Sequence, residues 1–159
     1  MQVVHYGSFD TREYDDVDIE FLDELPNPKE IPVEGKKLLI LEDLELKSIS
    51  SEDESKLNRL FGYSSSHKNL SIILTAQDVF NIPTCARRLA NIFILYSQPD
   101  LPALAKMASR TSLKKEDFQE IFTDYIKNKH DFLLIDLTEN TPSKLRINAY
   151  TKISLNNNE

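Results

Sequence analysis

The sequence predicts an α/β fold of three layers, with a mainly parallel sheet between two layers of helices. Four apolar runs have the length of a strand and end abruptly at polar residues, which is typical of strands buried on both faces. These runs span residues 37–41, 70–75, 91–96 and 132–137. Segments with helical periodicity lie between them, and strands that alternate with helices favour a covered parallel sheet.

Three segments have the pattern of helices. Residues 51–61 have Ser50 or Ser51 as a cap, acidic residues in the first turn and Gly62 as a stop signal. Residues 102–109 form a shorter candidate. Residues 114–129 carry apolar side chains at helical spacing, and we expect this stripe to face the core. The stripe consists of Phe118, Ile121, Phe122, Tyr125 and Ile126.

Both ends of the chain add short strands to this plan. Residues 2–6 and 17–21 have the pattern of short strands, and the acidic segment 10–18 that precedes the second is expected to be a solvated loop. Near the other end, alternating apolar residues over 145–150 predict an antiparallel hairpin at a sheet edge. We therefore predict a single domain over residues 1–155, followed by a polar tail over residues 156–159.

The composition of the 159 residues is that of a soluble globular protein, with 40% hydrophobic and 28% charged residues. No apolar run has transmembrane length and no signal peptide follows Met1, so we expect a protein of the cytoplasm or nucleus without membrane contact. The single cysteine, Cys85, cannot form an intramolecular disulfide. Three widely spaced histidines make a zinc site an unsuitable interpretation.

The net charge of −7 is distributed unevenly along the chain. Residues 1–60 hold 16 acidic and 7 basic side chains, a net charge of −9, whereas residues 61–159 hold 10 acidic and 12 basic side chains, a net charge of +2. Because the acidic half repels phosphates, we expect any contact with nucleic acid to use the second half or a partner subunit.

An acid pair follows the first apolar run directly. Glu42 and Asp43 come after four apolar residues, at the carboxyl end of a predicted strand, where open α/β sheets bind ligands. In nucleotide hydrolysis one such carboxylate holds the Mg²⁺ shell, and its neighbour orients or deprotonates the attacking water. An apolar strand that ends in two acids is common, so the pair by itself is equally consistent with a structural role.

Polar groups also follow the second run and precede the third. Gln77 ends the second strand, where an amide can hold a water molecule or a γ-phosphate oxygen, or can simply cap a loop. Arg87 and Arg88 lie in a short segment before the third run. A guanidinium there could reach a phosphate across a subunit boundary as an arginine finger, although arginine pairs usually serve surface solvation.

Taken in order, these segments resemble the DNA-packaging ATPases of large DNA viruses and virus-like transposons, in the FtsK/HerA superfamily of P-loop proteins. The resemblance covers nearly the whole chain, and it includes residues 3–6, 17–26, 60–80 and 131–137. Its most specific part is the serine- and histidine-rich turn before the second run, followed by the apolar strand and Gln77, and then by an arginine before the next strand.

The resemblance implies a P-loop core of the RecA/FtsK type and a homo-oligomeric ring that moves double-stranded DNA into a viral capsid, with Mg²⁺ and ATP bound between subunits. Virion association is a further expectation. Glu42 and Asp43 match the Walker B acids and the metal ligands, Gln77 matches the polar residue of the following strand, and Arg87 or Arg88 matches the arginine-finger region. Two departures are that the family usually opens its acid pair with Asp, and that the arginines here lie closer to Asn91.

The phosphate-binding loop of that family is missing from the sequence. This loop needs Gly-x-x-x-x-Gly-Lys-Ser/Thr, because glycines let backbone amides surround the phosphates. The one Gly-Lys pair, Gly35 and Lys36, has Glu30 in place of the first glycine and Lys37 in place of the hydroxyl residue, and it precedes a strand. We therefore predict a truncated ATPase-like domain without the amino-terminal strand, loop and helix.

Three functional hypotheses follow from these observations. The first is the Walker B and arginine-finger portion of a DNA-packaging motor, inactive as an isolated chain. The second is a non-catalytic α/β interaction module or a degenerate ring subunit. The third is a nuclease-like or receiver-like domain, which would bind Mg²⁺ without nucleotide. The chain is thus a fragment of a longer ATPase, a degenerate relative or a chance resemblance.

Overall fold

The computed structural model describes residues 19–42, 44, 46–97, 101–141 and 143–153, together with the backbone of residues 2–5. It divides the chain into two compact units, Met1–Leu89 and Ala90–Glu159. Each unit contains a four-stranded sheet of its own. The organisation of residues 1–155 as a single domain stays a prediction, and the tail over 156–159 lies outside the described residues.

The sheet of the first unit is parallel throughout. Its strands are β1 (Gln2–His5), β2 (Glu20–Leu22), β3 (Lys37–Glu42) and β4 (Leu70–Leu74). They lie in the order β2-β1-β3-β4, and each neighbouring pair runs in the same direction. The predicted parallel arrangement of the first two apolar runs is therefore confirmed.

A helical segment connects β3 to β4. Helix α1 (Ser51–Arg59) follows a short 3₁₀ turn (Leu46–Ser48), and the Ser50 hydroxyl caps α1 by accepting a hydrogen bond from the Asp53 N–H at 3.0 Å. The predicted stop at Gly62 is wrong. The chain continues through Gly62 as a π-helical turn (Leu60–Ser64) and a final turn, α2 (Ser65–His67). Leu60 is fully buried, and its burial, about 2 kcal/mol, outweighs the roughly 1 kcal/mol cost of a helical glycine.

The core of the first unit lies on one face of its sheet. Leu39 and Leu41 of β3 form a buried cluster with Leu57 and Leu60 of the helical segment. On β4 the side chains alternate, so that Ser71 and Ile73 are exposed, Ile73 to 48%. The predicted burial of this run on both faces is therefore wrong, because the helical segment covers only the face that the buried leucines occupy.

The sheet of the second unit is antiparallel. Its strands are β5 (Ile92–Tyr96), β6 (Phe132–Asp136), β7 (Leu145–Ile147) and β8 (Thr151–Lys152), in the order β5-β6-β7-β8. All three pairings are antiparallel. The predicted hairpin near the end of the chain is confirmed, but the predicted parallel arrangement of the third and fourth apolar runs is wrong.

Two helices, instead of one, explain this reversal. Helices α4 (Leu101–Thr111) and α5 (Lys115–Tyr125) connect β5 to β6, and they are joined by a three-residue turn in which Ser112 has φ 67°. A helical hairpin brings the chain back to the end that it left, so the next strand runs in the opposite direction. A parallel crossover uses a single helix instead.

The apolar stripe of α5 faces the core in large part, as predicted. Phe118, Phe122 and Ile126 are buried, whereas Ile121 is half-buried and Tyr125 is 48% exposed. None of the helices in the described ranges is long and apolar enough to cross a bilayer.

Candidate functional site

The acid-bearing strand and the amide-bearing strand are neighbours. Strands β3 and β4 pair in parallel from Lys37 opposite Leu70 to Leu41 opposite Leu74, and the Thr75 N–H extends the ladder by donating to the Leu41 carbonyl at 3.0 Å. Parallel strands end at the same edge of a sheet, so Glu42 and the segment that leads to Gln77 emerge together. The predicted adjacency of these two strands is thus what the sheet shows.

The side chains at this edge differ in exposure. Glu42 is half-buried and Gln77 is exposed. Asp43, the second predicted acid, lies outside the described residues. The chain turns directly after Gln77, where the Asp78 carboxylate accepts a hydrogen bond from the Phe80 N–H at 2.8 Å. This turn fixes the backbone beside Gln77 and leaves the Gln77 amide at the surface.

The two arginines lie on the short helix α3 (Thr84–Leu89), and they differ in their surroundings. The Arg87 guanidinium is half-buried and donates to the Ile82 carbonyl at 2.9 Å and to the Thr84 hydroxyl at 3.1 Å. Arg87 therefore stabilises the start of its own helix. Arg88 is exposed, and its geometry suits contact with another molecule better than that of Arg87.

The Gly-Lys pair lies at the wrong end of β3 for a phosphate site. Gly35 has φ 77°, in the left-handed region that favours glycine, and it precedes β3, whereas Glu42 ends the strand. The Lys37 ammonium donates to the Glu34 and Gly35 carbonyls, at 2.5 and 2.8 Å. The turn thus points backbone carbonyls at a lysine, whereas a phosphate cradle presents backbone amides to an anion.

The residues at the carboxyl edge fit a divalent cation in part. A carboxylate such as Glu42 is the oxygen ligand that Mg²⁺ prefers. Within the part of the chain that the structure describes, no three His, Cys, Asp or Glu side chains are grouped so that they could hold a metal ion. Glu42 can thus contribute one ligand, and the three glycines of the chain do not supply the amide cradle that nucleotide phosphates require.

The structure gives the serine- and histidine-rich turn a role that the sequence did not predict. Lys68 is buried, and its ammonium donates to the carbonyls of Pro28, Lys29 and Ile31, at 2.8, 3.2 and 2.6 Å. Lys68 therefore ties the turn before β3 to the start of β4. Its partners lie 37 to 40 residues away in sequence, so no local pattern could have identified them.

The same turn carries an exposed aromatic stack. The rings of Tyr63 and His67 are stacked at 4.6 Å between centroids, and the Arg59 guanidinium lies 6.0 Å from the Tyr63 ring. Tyr63 is 50% exposed. These residues follow one another at a spacing of four along the helical segment, which places them on one side of it.

A second polar cluster lies at the end of β6 in the second unit. The buried Asp136 carboxylate accepts hydrogen bonds from the hydroxyls of Thr138 and Thr141, at 2.5 and 3.0 Å, and from the Arg146 guanidinium at 3.1 Å. The Thr138 hydroxyl, followed by its backbone N–H, lowers the pKa of the Asp136 carboxyl. The sequence analysis missed this network, for which Asp-x-Thr at a strand end was the available signal.

Replacing Asp136 with Ala is expected to lower the free energy of unfolding by about 2 kcal/mol at pH 7, because Arg146 and both threonines lose their acceptor. The folded-state pKa of Asp136 is lowered, so its contribution is complete above the unfolded pKa of about 3.9. The contribution is lost as the pH falls through the lower folded-state pKa. Urea denaturation of both proteins at pH 7 and under increasingly acidic conditions would measure this.

The exposed Glu139→Ala variant is the control, and its stability is expected to stay within about 0.5 kcal/mol of the unmodified chain. A difference between the Asp136→Ala variant and the unmodified chain that stays constant down to the lowest pH would contradict the assigned role of the carboxylate.

Comparison with known proteins gives structural matches alone. The sequence matches no protein-family model and no curated protein. The fold is similar to that of the DNA-packaging ATPase B204 from Sulfolobus Turreted Icosahedral Virus, with a TM-score of 0.62, 13% identity, and coverage of 92% of this chain and 80% of that one. The predicted resemblance to viral DNA-packaging ATPases is therefore confirmed at the level of the fold.

Two further matches are weaker. They are structures of the genome packaging NTPase B204 from Sulfolobus turreted icosahedral virus 2, one in complex with ATP-gammaS and one with AMPPCP. Their TM-scores are 0.48 and 0.46 at 18% identity, and they are matched over 71% and 76% of this chain. The chain spans about half of their length, 54% in both cases.

Proposed function

We propose that this chain is the Walker B and arginine-finger portion of an ATP-driven motor that packages or translocates DNA, and that it is inactive on its own. The observation that carries the proposal is the parallel pairing of β3 with β4, which brings the acid-bearing strand and the strand before Gln77 to one edge. The similarity of the fold to that of a viral DNA-packaging ATPase supports it.

Each residue at the edge has a role in this proposal. Asp43 accepts a proton from the attacking water, and Glu42 helps to hold hydrated Mg²⁺. The Gln77 amide contacts the terminal phosphate of a bound nucleotide. Arg88, or less favourably Arg87, extends toward the nucleotide of a neighbouring subunit. The bound Mg²⁺ ion would supply charge neutralisation at the phosphates.

The missing phosphate cradle explains why the isolated chain should be inactive. The backbone amides and the lysine of a phosphate-binding loop supply much of the affinity for nucleotide. The three glycines of this chain cannot build that loop, and the turn at Gly35 presents carbonyls instead. A second polypeptide segment has to supply the loop before nucleotide can bind well.

The expected partners follow from the same proposal. A homo-oligomeric ring would place the arginine of one subunit beside the nucleotide of the next, and double-stranded DNA would be its cargo. Residues 61–159, with a net charge of +2, are better suited to contact DNA than residues 1–60, with a net charge of −9. A viral capsid would then be the destination of that DNA.

Calorimetry with and without a supplied loop tests the proposal. We define the loop-bearing fusion as the full chain preceded by a flexible linker and a strand, a Gly-x-x-x-x-Gly-Lys-Thr loop and a helix. Mg²⁺-ATP should bind to the folded fusion at least tenfold more tightly than to the chain alone, because the loop adds amide donors and a lysine. Equal affinity for a folded fusion and for the chain alone would overturn the proposal.

A non-catalytic ring subunit is the second candidate, and the hydrogen bonds of Arg87 within its own helix favour it. Under this alternative the loop-bearing fusion gains no hydrolysis. Titration with Mg²⁺ alone addresses the remaining hypothesis, since a nuclease-like or receiver-like domain would bind the metal ion equally well with or without ATP.

A further inference from the structure

The two outer strands of the first unit's sheet differ in how they are protected. Among the described strands, β2 and β4 are the outermost. Natural proteins protect true sheet edges with short strands and charged residues. Strand β2 has three residues and begins with the charged Glu20, and Asp23 follows it directly. Its composition therefore suits a permanent edge.

Strand β4 lacks these protective features. It has five residues, Leu-Ser-Ile-Ile-Leu, with no charged residue and no proline. Ile73 is 48% exposed on the face that the core leaves uncovered. A flat, apolar strand of this kind pairs readily with another strand when it is left at an edge. The sequence of β4 is thus that of an inner strand.

The hydrogen bonds to β3 show which backbone groups of β4 face outward. The Lys37 N–H donates to the Asn69 carbonyl, and the Thr75 N–H donates to the Leu41 carbonyl, both at 3.0 Å. Because backbone groups alternate along a strand, Ser71 and Ile73 also face β3, whereas Leu70, Ile72 and Leu74 direct their N–H and C=O groups away from it. These outward groups can pair with a further strand.

Charge distinguishes the carboxyl ends of the two outer strands. Asp23 and Glu24 follow β2, so an anion at that end would be repelled. No acidic residue lies between Leu70 and Gln77, and the neutral Gln77 amide is exposed there. A ligand that carries phosphates is therefore accommodated beyond β4 and excluded beyond β2.

We propose that the outer edge of β4 takes up a parallel strand that leads directly into a glycine-rich phosphate-binding loop. The parallel direction places the loop at the carboxyl end of β4, beside Gln77 and the end of the strand that carries Glu42. This inference rests on the proposed function, because that function requires a phosphate-binding loop. It adds where the loop-bearing segment attaches and in which direction it runs.

Hydrogen–deuterium exchange, followed residue by residue by NMR, tests the proposal in the loop-bearing fusion. The amides of Ser71 and Ile73 are bonded to β3 and should exchange slowly in the chain alone and in the fusion. The amides of Leu70, Ile72 and Leu74 should exchange about tenfold or more slowly in the fusion alone. A fusion with prolines at alternate positions of the added strand, with loop and helix unchanged, is the control and should lose this protection.

Two results would overturn the proposal. One is unchanged exchange at Ile72 in a fusion whose added helix is folded by NMR, and the other is new protection at Glu20–Leu22 instead of β4. Titration of the same fusion with Mg²⁺-ATP separates this inference from the proposed function. Protection at β4 without ATP binding would contradict the function and leave the attachment site standing, whereas ATP binding without protection would contradict the attachment site.

Discussion

Asp43→Asn in the loop-bearing fusion is expected to abolish ATP turnover, with a fall of at least about a hundredfold, while ATP affinity stays within about twofold. The amide has nearly the same shape as the carboxylate and can still form hydrogen bonds, but it cannot accept the proton of the attacking water. Phosphate release gives the turnover, and calorimetry with Mg²⁺-ATP gives the affinity. The two measurements together distinguish a loss of chemistry from a loss of binding.

Lys36→Ala is the matched control for this experiment. Lys36 is exposed and follows Gly35 at the amino end of β3, at the opposite end of that strand from Glu42. Turnover of the Lys36→Ala fusion should equal that of the unmodified fusion. Unchanged turnover in the Asp43→Asn fusion would remove Asp43 from the proposed role, and a loss in the Lys36→Ala fusion would show that the Gly-Lys pair contributes after all.

Lys68→Met is expected to lower the free energy of unfolding of the chain by about 3 kcal/mol, because three backbone carbonyls lose a charged donor and the methionine can replace only the aliphatic stem. The carbonyls belong to the turn that precedes β3, so amide exchange in residues 28–31 should also accelerate. Urea denaturation at pH 7 measures the stability, and NMR exchange measures the local effect.

Lys47→Met controls for the loss of a lysine as such. Lys47 is exposed, and its replacement should change the stability by no more than about 0.5 kcal/mol. Equal stability of the Lys68→Met and Lys47→Met variants would show that the three hydrogen bonds of Lys68 do not stabilise the fold.

Local sequence patterns predicted most elements and the adjacency of β3 and β4. The four apolar runs became strands, because continuous apolar residues bounded by polar ones are stable only when their side chains pack in a core. Ser50 was one of the two caps considered, and it caps α1 as a serine before an acidic first turn should. The order of β3 and β4 followed from the preference of sequential parallel strands to lie side by side.

Other features could not be predicted, because they depend on contacts that are distant in sequence. Gly62 stays helical since Leu60 has a buried position in the core to fill. Asp136 is held by Arg146, ten residues away and across a strand pairing. The fourth apolar run pairs antiparallel with the third because two helices, which the sequence did predict, return the chain to its starting end.

The sequence by itself determined the α/β character of the chain, the candidate site residues and the missing phosphate-binding loop, because strand periodicity and the glycine requirement of such a loop are local properties. The tertiary structure alone decided which strands lie at the edges, which face of β4 remains exposed and which polar side chains are already engaged. These depend on pairing and burial between segments far apart in the chain, and they leave Gln77 and the outer edge of β4 available for a further segment.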